Sequence, residues 1–130
     1  SQLAPLLAQA HLGIGSLGMH RIPLRQGAVL KVKEYLALGL PFVIAHEEVD
    51  LVNRPEFAPF FYQAPADESP ICIQKLLSFA EAVHSIAGYR QKIRDFACRT
   101  ADVRVKMAQL LDILQAEQVH RQKEPSRAPV

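Results

Sequence analysis

The feature that most constrains the fold is the run LKVKEYLALGLPFVIA, residues 30–45. It predicts a helix over Leu30–Leu38 that leads directly into a strand. Gly39 supplies the left-handed residue that commonly follows a helix, and Pro41 cannot continue one. Phe42–Ala45 is short and wholly apolar, as in a strand that is buried on both faces. A helix joined so closely to such a strand predicts a parallel α/β sheet.

The other elements are predicted from the same signals. The glycine-dotted stretch HLGIGSLG indicates a buried strand that ends in an open loop over residues 16–27. HEEVD and NRPEFAP indicate a loop and a turn. We further expect a strand at FFYQAP, a helix from Asp67 or Ser69 with Pro70 at its start, and helices over Tyr89–Arg99 and Asp102–Val119. The core-facing stripe of the first of these helices comprises Ile73, Leu76, Leu77, Ala80, Val83 and Ala87.

Together these elements predict a partial Rossmann-like α/β domain. Its sheet is short, parallel and about three strands wide, with helices on its sides and more helices accumulating toward the C-terminus. At 130 residues the chain suits one domain, over residues 1–122, followed by a polar, proline-rich tail at residues 123–130 that we expect to be disordered. The chain opens without a methionine and runs at once into an apolar stretch, so we expect it to be part of a longer protein.

Composition limits the classes of partner. The net charge of +2 is too small to indicate nucleic-acid binding, and no apolar run or basic leader indicates a membrane span or secretion, so we expect a cytoplasmic protein. A basic series indicates either a solvated helix face or peripheral attraction to anionic lipid at the inner face of a membrane. The members of this series are Arg90, Lys92, Arg94, Arg99, Arg104 and Lys106.

The two cysteines and five histidines lack the spacing of a metal site. Cys72 and Cys98 form no CxxC motif, so reduced, unreactive thiols are expected. His11, His46, His84 and His120 likewise show no ligand pattern, and no metal is predicted.

The predicted helix over residues 30–38 carries chemistry on one polar face. Lys31 and Glu34 lie three residues apart on a side separate from Val32, Tyr35 and Leu36. A helix that starts at the carboxyl edge of a parallel sheet offers free N–H groups to an anion, and a carboxylate one turn further on can accept hydrogen bonds from sugar hydroxyls. This face therefore indicates a nucleoside diphosphate joined to a sugar. The alternative is an ordinary surface pair that contributes about 0.2–0.5 kcal/mol to helix stability.

The two runs LGIGSLGMHR and LKVKEYLALGLPFVIA resemble the carboxy-terminal, donor-binding half of GT-B glycosyltransferases, in particular the retaining enzymes of family four. The resemblance covers residues 10–46 closely and the segment Val105–Met107 more loosely. Those enzymes carry a glutamate, seven residues, a second glutamate and then alanine, glycine and proline before a buried strand.

The resemblance assigns roles to individual residues. It implies that Glu34 matches the second glutamate, which holds the ribose. Gln26 stands where the family has its first glutamate, which contacts the donor sugar, and glutamine brings no negative charge there. The resemblance implies that the diphosphate lies against Gly27, Ala28, Val29 and Leu30, with help from Lys31. It also implies that the loop facing the donor contains Ser16, Leu17, His20 and Arg21. A plain polar role remains the alternative for His20 and Lys31.

The resemblance implies a hexosyltransferase that uses a nucleotide-diphosphate sugar as donor, needs no metal or other cofactor, and acts on a glycan or a lipid-linked acceptor. Because the acceptor is held mainly by a preceding N-terminal domain, we expect the chain to be inactive by itself. We also expect it to form a homodimer through an uncovered sheet edge or the last helix. The alternative function is a degenerate Rossmann-like binding or interaction module without catalysis.

Overall fold

Five α-helices and five short strands lie along residues 2–123, the part of the chain that the computed structural model describes. The elements are α1 (Leu3–Gln9), β1 (Gly13–Ile14), β2 (Gln26–Gly27), α2 (Leu30–Leu38), β3 (Phe42–Ile44), β4 (Glu47–Glu48), β5 (Phe61–Gln63), α3 (Ile73–His84), α4 (Tyr89–Thr100) and α5 (Val103–Lys123). Two 3₁₀ turns lie at Met19–Arg21 and Pro55–Phe60.

The central sheet is parallel and has the strand order β1-β3-β5. Gly13 lies opposite Phe42, and Phe42 lies opposite Phe61. A second parallel pair joins β2 to β4 outside this sheet. The prediction of an α/β fold with a short parallel sheet of three strands and flanking helices is thus confirmed.

Helix α2 has the bounds predicted from the sequence, Leu30–Leu38. It ends at Gly39 with φ of 68°, and the N–H of Leu40 then donates to the carbonyl of Tyr35 at 2.9 Å. A side chain at Gly39 would also collide with the backbone of Arg90 in α4. Glycine is therefore required at this position both for its backbone conformation and for the close approach of two helices.

One face of the sheet carries the larger apolar core. Phe42 and Ile44 of β3 point into it, and the rings of Phe57 and Phe96 stack there with centroids 4.3 Å apart. The buried members of this core are Val32, Tyr35, Leu36, Leu40, Phe42, Ile44, Leu51, Phe57, Phe60, Val83, Ile93 and Phe96. Most of them come from α2, α4 and the segment around the second 3₁₀ turn, so these elements cover this face.

The other face of the sheet carries a smaller core. Val43 points to the face opposite to that of Phe42 and Ile44. There it packs with Ala45, Ala64 and Leu76, the last of which belongs to α3. Because successive residues of a strand point to opposite faces, β3 must be apolar throughout. This explains the continuous apolar run from which the buried strand was predicted.

The predicted start of α3 is wrong. The helix begins at Ile73 after Cys72, rather than at Asp67 or Ser69. Asp67 instead accepts a hydrogen bond from the N–H of Ser69 at 2.8 Å, which forms a local turn. The side-chain oxygen that could have capped a helix is used within the loop over residues 65–72.

The predicted stripe of α3 is only partly buried. Leu76 and Val83 are buried, whereas Ile73 and Leu77 are 65% and 55% exposed. Ala87 lies beyond the end of the helix and is exposed. A sheet of three short strands offers too narrow a surface to cover a whole helical stripe.

The segments predicted as a loop at residues 16–27 and at HEEVD contain the paired strands β2 and β4. Two-residue strands in polar sequence give no periodic signal, so the sequence pattern cannot reveal them. The segment predicted as a turn, NRPEFAP, contains most of the second 3₁₀ turn.

Helix α5 projects its apolar residues into solvent. Val103, Met107, Leu110 and Leu114 are all 46% exposed or more. The helix extends to Lys123, four residues past the predicted end at Val119. The tail predicted for residues 123–130 otherwise lies outside the described residues.

Candidate functional site

A cleft opens beyond the carboxyl ends of β3 and β5, where ligands bind in open α/β sheets. Its volume is about 1070 Å³. Its walls are formed by the loop that follows β1, by the residues after β3 and by the residues that end and follow β5. The lining residues are His20, Ile22, Pro23, Leu24, Arg25, Gln26, Ala45, His46, Glu47, Gln63 and Ala66. Of the residues predicted to contact a donor, the cleft thus contains His20 and Gln26.

Three residues, here called the clamp, join two walls of the cleft: His20, Arg21 and Glu68. The guanidinium of Arg21 donates from Nε to Glu68 Oε1 at 2.7 Å and from Nη2 to Oε2 at 2.6 Å. His20 Nε2 lies 2.9 Å from Glu68 Oε1. The hydrogen bonds from Arg21 and then from His20 lower the pKa of Glu68 to about 2. The carboxylate of Glu68 thus remains ionised well into the acid range.

Gln26 is held by the neighbouring strand. Its amide Nε2 donates to Glu47 Oε1 at 2.6 Å, and the two residues lie opposite each other in the β2–β4 pair. Both residues line the cleft, so a carboxylate is present beside the glutamine. The sequence analysis identified Gln26 but did not identify Glu47 as a site residue.

The start of α2 is capped by a buried carboxylate from β4. Glu48 Oε2 accepts a hydrogen bond from the N–H of Val29 at 3.1 Å, and the side chain of Glu48 is fully buried. The N–H of Val29 is therefore not free, contrary to the prediction that it would be open to an anion. The N–H groups of Leu30 and Lys31 make no hydrogen bond within residues 2–123.

His46 connects this cap to the cleft. Its Nε2 lies 3.0 Å from Glu48 Oε2, and its Nδ1 lies 3.4 Å from the carbonyl oxygen of Ser16. The two ring nitrogens thus face a carboxylate oxygen and a carbonyl oxygen, each of which can accept a hydrogen bond. His46 is thereby fixed between the end of β3 and the loop after β1.

Behind α2 lies a set of charges that we call the buried ion cluster: Lys33, Glu48, Asp50 and Lys106. Asp50 is ion-paired with Lys33 and, at 2.5 Å, with Lys106 of α5. Lys33 Nζ also lies 3.7 Å from Glu48 Oε1. Burial lowers the pKa of Lys33, while Glu48 opposes that shift. The cluster ties α2, β4 and the first turns of α5 together.

The predicted polar face of α2 lies outside the cleft. Lys31 and Glu34 are exposed, and neither lines the cleft. No ion pair joins them, and the side chain of Glu34 makes no hydrogen bond with any described residue. The surface pair considered as the alternative is therefore not formed. The side chain of Glu34, one turn into the helix, is therefore exposed and without a hydrogen-bond partner among the described residues.

The other predicted donor-facing residues are spread over the loops. Ser16 contributes only its carbonyl, which also accepts from the N–H of Ala45 at 3.2 Å. Leu17 packs on the smaller core and lines a second cavity of about 270 Å³ near Tyr62. Gly27 pairs with Glu48 in β4, and Ala28 is exposed.

Residues missed in the sequence analysis are mostly acidic or follow a buried strand. Glu47 and Glu48 come directly after β3, a place where polar residues reach the carboxyl edge of the sheet. That position in HEEVD was the available signal. Glu68 had no such signal, because its partners are more than forty residues away along the chain.

Residues 2–123 contain neither a cluster of metal ligands nor a helix that could span a membrane. No group of three or more histidine, cysteine, aspartate or glutamate side chains converges there as a metal site requires. Cys72 and Cys98 are free and exposed. No helix in this part of the chain has both the length and the apolar character needed to cross a bilayer.

Comparison with protein-family models, with curated proteins and with solved structures gives no match.

Proposed function

We propose that the chain is the donor-binding part of a GT-B glycosyltransferase and that it binds a nucleotide-diphosphate sugar at the carboxyl edge of its sheet. The observation that carries this proposal is the first turn of α2. Two N–H groups without a hydrogen bond in the described chain, those of Leu30 and Lys31, precede an exposed and unpaired Glu34. Backbone donors for a phosphate and a carboxylate for sugar hydroxyls are thus offered side by side.

The cleft supplies the second half of the proposed site. Its volume of about 1070 Å³ lies just above the range of common ligand pockets, which is roughly 300–1,000 Å³. In this proposal one phosphate lies against the N–H groups of Leu30 and Lys31, the ribose against Glu34 and the hexose in the cleft beside Gln26. Glu47, hydrogen-bonded to Gln26, contributes the negative charge that glutamine lacks. A carboxylate at that place would stabilise the positive charge that develops at the anomeric carbon of the sugar as the nucleoside diphosphate leaves.

Transfer to an acceptor belongs to the longer protein in this proposal. The resemblance assigns acceptor binding to a preceding domain, so the chain by itself binds the donor without turnover. The acceptor is a glycan or a lipid-linked molecule, and the exposed Lys92 and Arg99 of α4 provide basic groups for peripheral contact with anionic lipid.

Isothermal titration calorimetry with a panel of uridine, guanosine and adenosine diphosphate sugars tests the proposal. Glu34→Ala should weaken binding by about ten- to a hundredfold, because hydrogen bonds to a charged acceptor are lost. Lys31→Ala should weaken binding less. The thermal unfolding midpoint should stay unchanged, since Glu34 is exposed and unpaired.

Glu81→Ala is the matched control, because Glu81 is also an exposed helical glutamate but lies on α3. Equal affinity in the Glu34 and Glu81 variants would remove Glu34 from the site. Absence of binding by the wild-type chain to every sugar nucleotide would refute the proposed function.

A second candidate is an interaction module without catalysis. The observation that favours it is α5, whose apolar stripe of Val103, Met107, Leu110 and Leu114 is exposed. In this alternative the stripe binds a second copy of the chain. Light scattering at increasing concentration tests it, and Leu110→Glu with Leu114→Glu should return a dimer to monomer if α5 is the contact.

A further inference from the structure

The clamp connects loops from the two outer strands of the sheet. His20 and Arg21 lie in the loop after β1, and Glu68 lies in the loop after β5. Between them stands β3, whose carboxyl end opens into the cleft through Ala45 and His46. The clamp therefore connects two loops that flank the cleft, and of its three members His20 lines the cavity itself.

The chemistry of the clamp is that of an anion site. A guanidinium that donates two parallel hydrogen bonds to a carboxylate has the same geometry as one that holds a phosphate. His20 Nε2 makes a third contact with Glu68, at the same oxygen, Oε1, that accepts the hydrogen bond from Arg21 Nε. His20 Nδ1 is buried and has no hydrogen-bond partner among the described residues, although its ring lies against the cleft. The site is thus formed by side chains and is occupied by a carboxylate of the same chain.

We propose that Glu68 is an intramolecular competitor that occupies an anion subsite made by Arg21 and His20, and that a phosphate group of the ligand displaces it. The choice of a diphosphate ester as that ligand depends on the proposed function. Displacement frees the loop over residues 65–72 from the loop after β1, so the cleft widens as the ligand is seated. The ionised state of Glu68 at neutral pH means that competition operates under ordinary conditions.

The exposure of the clamp makes displacement feasible. Arg21 and Glu68 have side chains that are 68% and 64% exposed. An exposed ion pair contributes little free energy, so its competition should lower ligand affinity by a factor of about two to five. A buried pair would exclude the ligand, whereas this one only weakens its binding.

Calorimetric titration with inorganic pyrophosphate at low ionic strength tests the proposal. Glu68→Gln keeps the shape of the side chain and removes its charge, so it should bind pyrophosphate about two- to fivefold more tightly than the wild type. Glu56→Gln is the matched control, because Glu56 pairs with Arg54 at 4.0 Å outside the cleft. The control should match the wild type. The double change Arg21→Gln with Glu68→Gln should not show this tighter binding of pyrophosphate.

A second measurement uses the unsubstituted chain. The carboxyl carbon resonance of Glu68 should move on addition of pyrophosphate, while that of Glu56 should not, because only Glu68 is released. This measurement decides the question if Glu68→Gln does not fold.

The outcomes separate this inference from the proposed function. Three results would refute the proposal that Glu68 competes with the ligand. They are equal affinity of Glu68→Gln and the wild type for pyrophosphate, an equal gain in affinity in Glu56→Gln, and no pyrophosphate binding by any variant. If sugar nucleotides bind but the affinity for pyrophosphate does not respond to Glu68→Gln, the proposed function stands and the competitor fails. If Glu68→Gln binds pyrophosphate more tightly while no sugar nucleotide binds, the competitor stands and the proposed function fails.

Discussion

The buried ion cluster and the clamp both pair carboxylates with basic side chains, but in opposite surroundings. The basic side chains come from distant parts of the chain in each case. The side chains of Glu48 and Asp50 are 2% exposed or less, whereas that of Glu68 is 64% exposed. Access to solvent therefore distinguishes the contact that holds the fold from the one that can be exchanged for a ligand.

The difference follows from what each charge loses when its partner leaves. In the buried ion cluster a carboxylate that lost its lysine would remain out of contact with water, which is costly in free energy. At the clamp, water or a ligand phosphate takes the place of the departing carboxylate. Three substitutions test this contrast, in order of decreasing effect.

The largest effect is expected for Asp50→Ala, which leaves Lys33 and Lys106 without their shared partner. The free energy of unfolding should fall by about 1.5–3 kcal/mol, because two partly exposed lysines lose their shared charged acceptor. Urea unfolding followed by circular dichroism measures it. Asp50→Asn should lose less than Asp50→Ala, because the amide oxygen can still accept a hydrogen bond from one of the lysines. Equal instability of the alanine and asparagine variants would contradict this explanation.

A smaller effect is expected for Lys106→Met, because Lys106 is 44% exposed and Asp50 keeps Lys33. The loss should be about 1 kcal/mol. Amide hydrogen exchange should accelerate in the first turns of α5 more than in α4, since Lys106 links α5 to the loop after β4. Arg121→Met, near the far end of the same helix, serves as the control. Uniform acceleration over the whole domain would show that the pair stabilises the fold as a unit.

The smallest effect on stability is expected from the clamp, and it depends on pH. The pKa of Glu68 lies below its unfolded value of 4.5, at about 2, so the contribution is fully present above pH 4.5 and is lost as the pH falls toward 2. A carboxyl titration by nuclear magnetic resonance should show the low pKa. Arg21→Ala should return it toward 4.5. The pKa of Asp102, also about 2 because of Arg104, should not change. A Glu68 pKa that is unmoved by Arg21→Ala would mean that the clamp is not formed in solution.

The same contrast explains what could be predicted from the sequence. The bounds of α2 were correct because Gly39 and Pro41 are local signals whose meaning does not depend on distant contacts. The start of α3 was wrong because Asp67 and Ser69 use the same chemistry in a loop turn that they would use in a helix cap. Local competition between those two uses is settled by tertiary contacts.

The candidate site was predicted in part for the same reason. Gln26 and His20 do lie in the cleft, because loops after parallel strands gather at one edge. Glu48, by contrast, was assigned to a loop, since nothing in HEEVD shows that Lys33 and Val29 will bury it. Glu34 and Lys31 share an exposed face as the helical periodicity predicts, but periodicity does not show that this face lies outside the cleft.

The parallel register of the central sheet has a consequence for the order in which the chain folds. Each pairing joins residues that lie roughly 20 to 30 positions apart, and within residues 2–123 no hairpin brings two of its strands together early. Loop closure must therefore precede strand pairing, which slows the sheet relative to the helices. In pulse-labelled refolding, amides of α4 should gain protection before those of β3. Until the strands pair, the carboxyl edge does not exist, so ligand binding should report the last step of folding rather than the first.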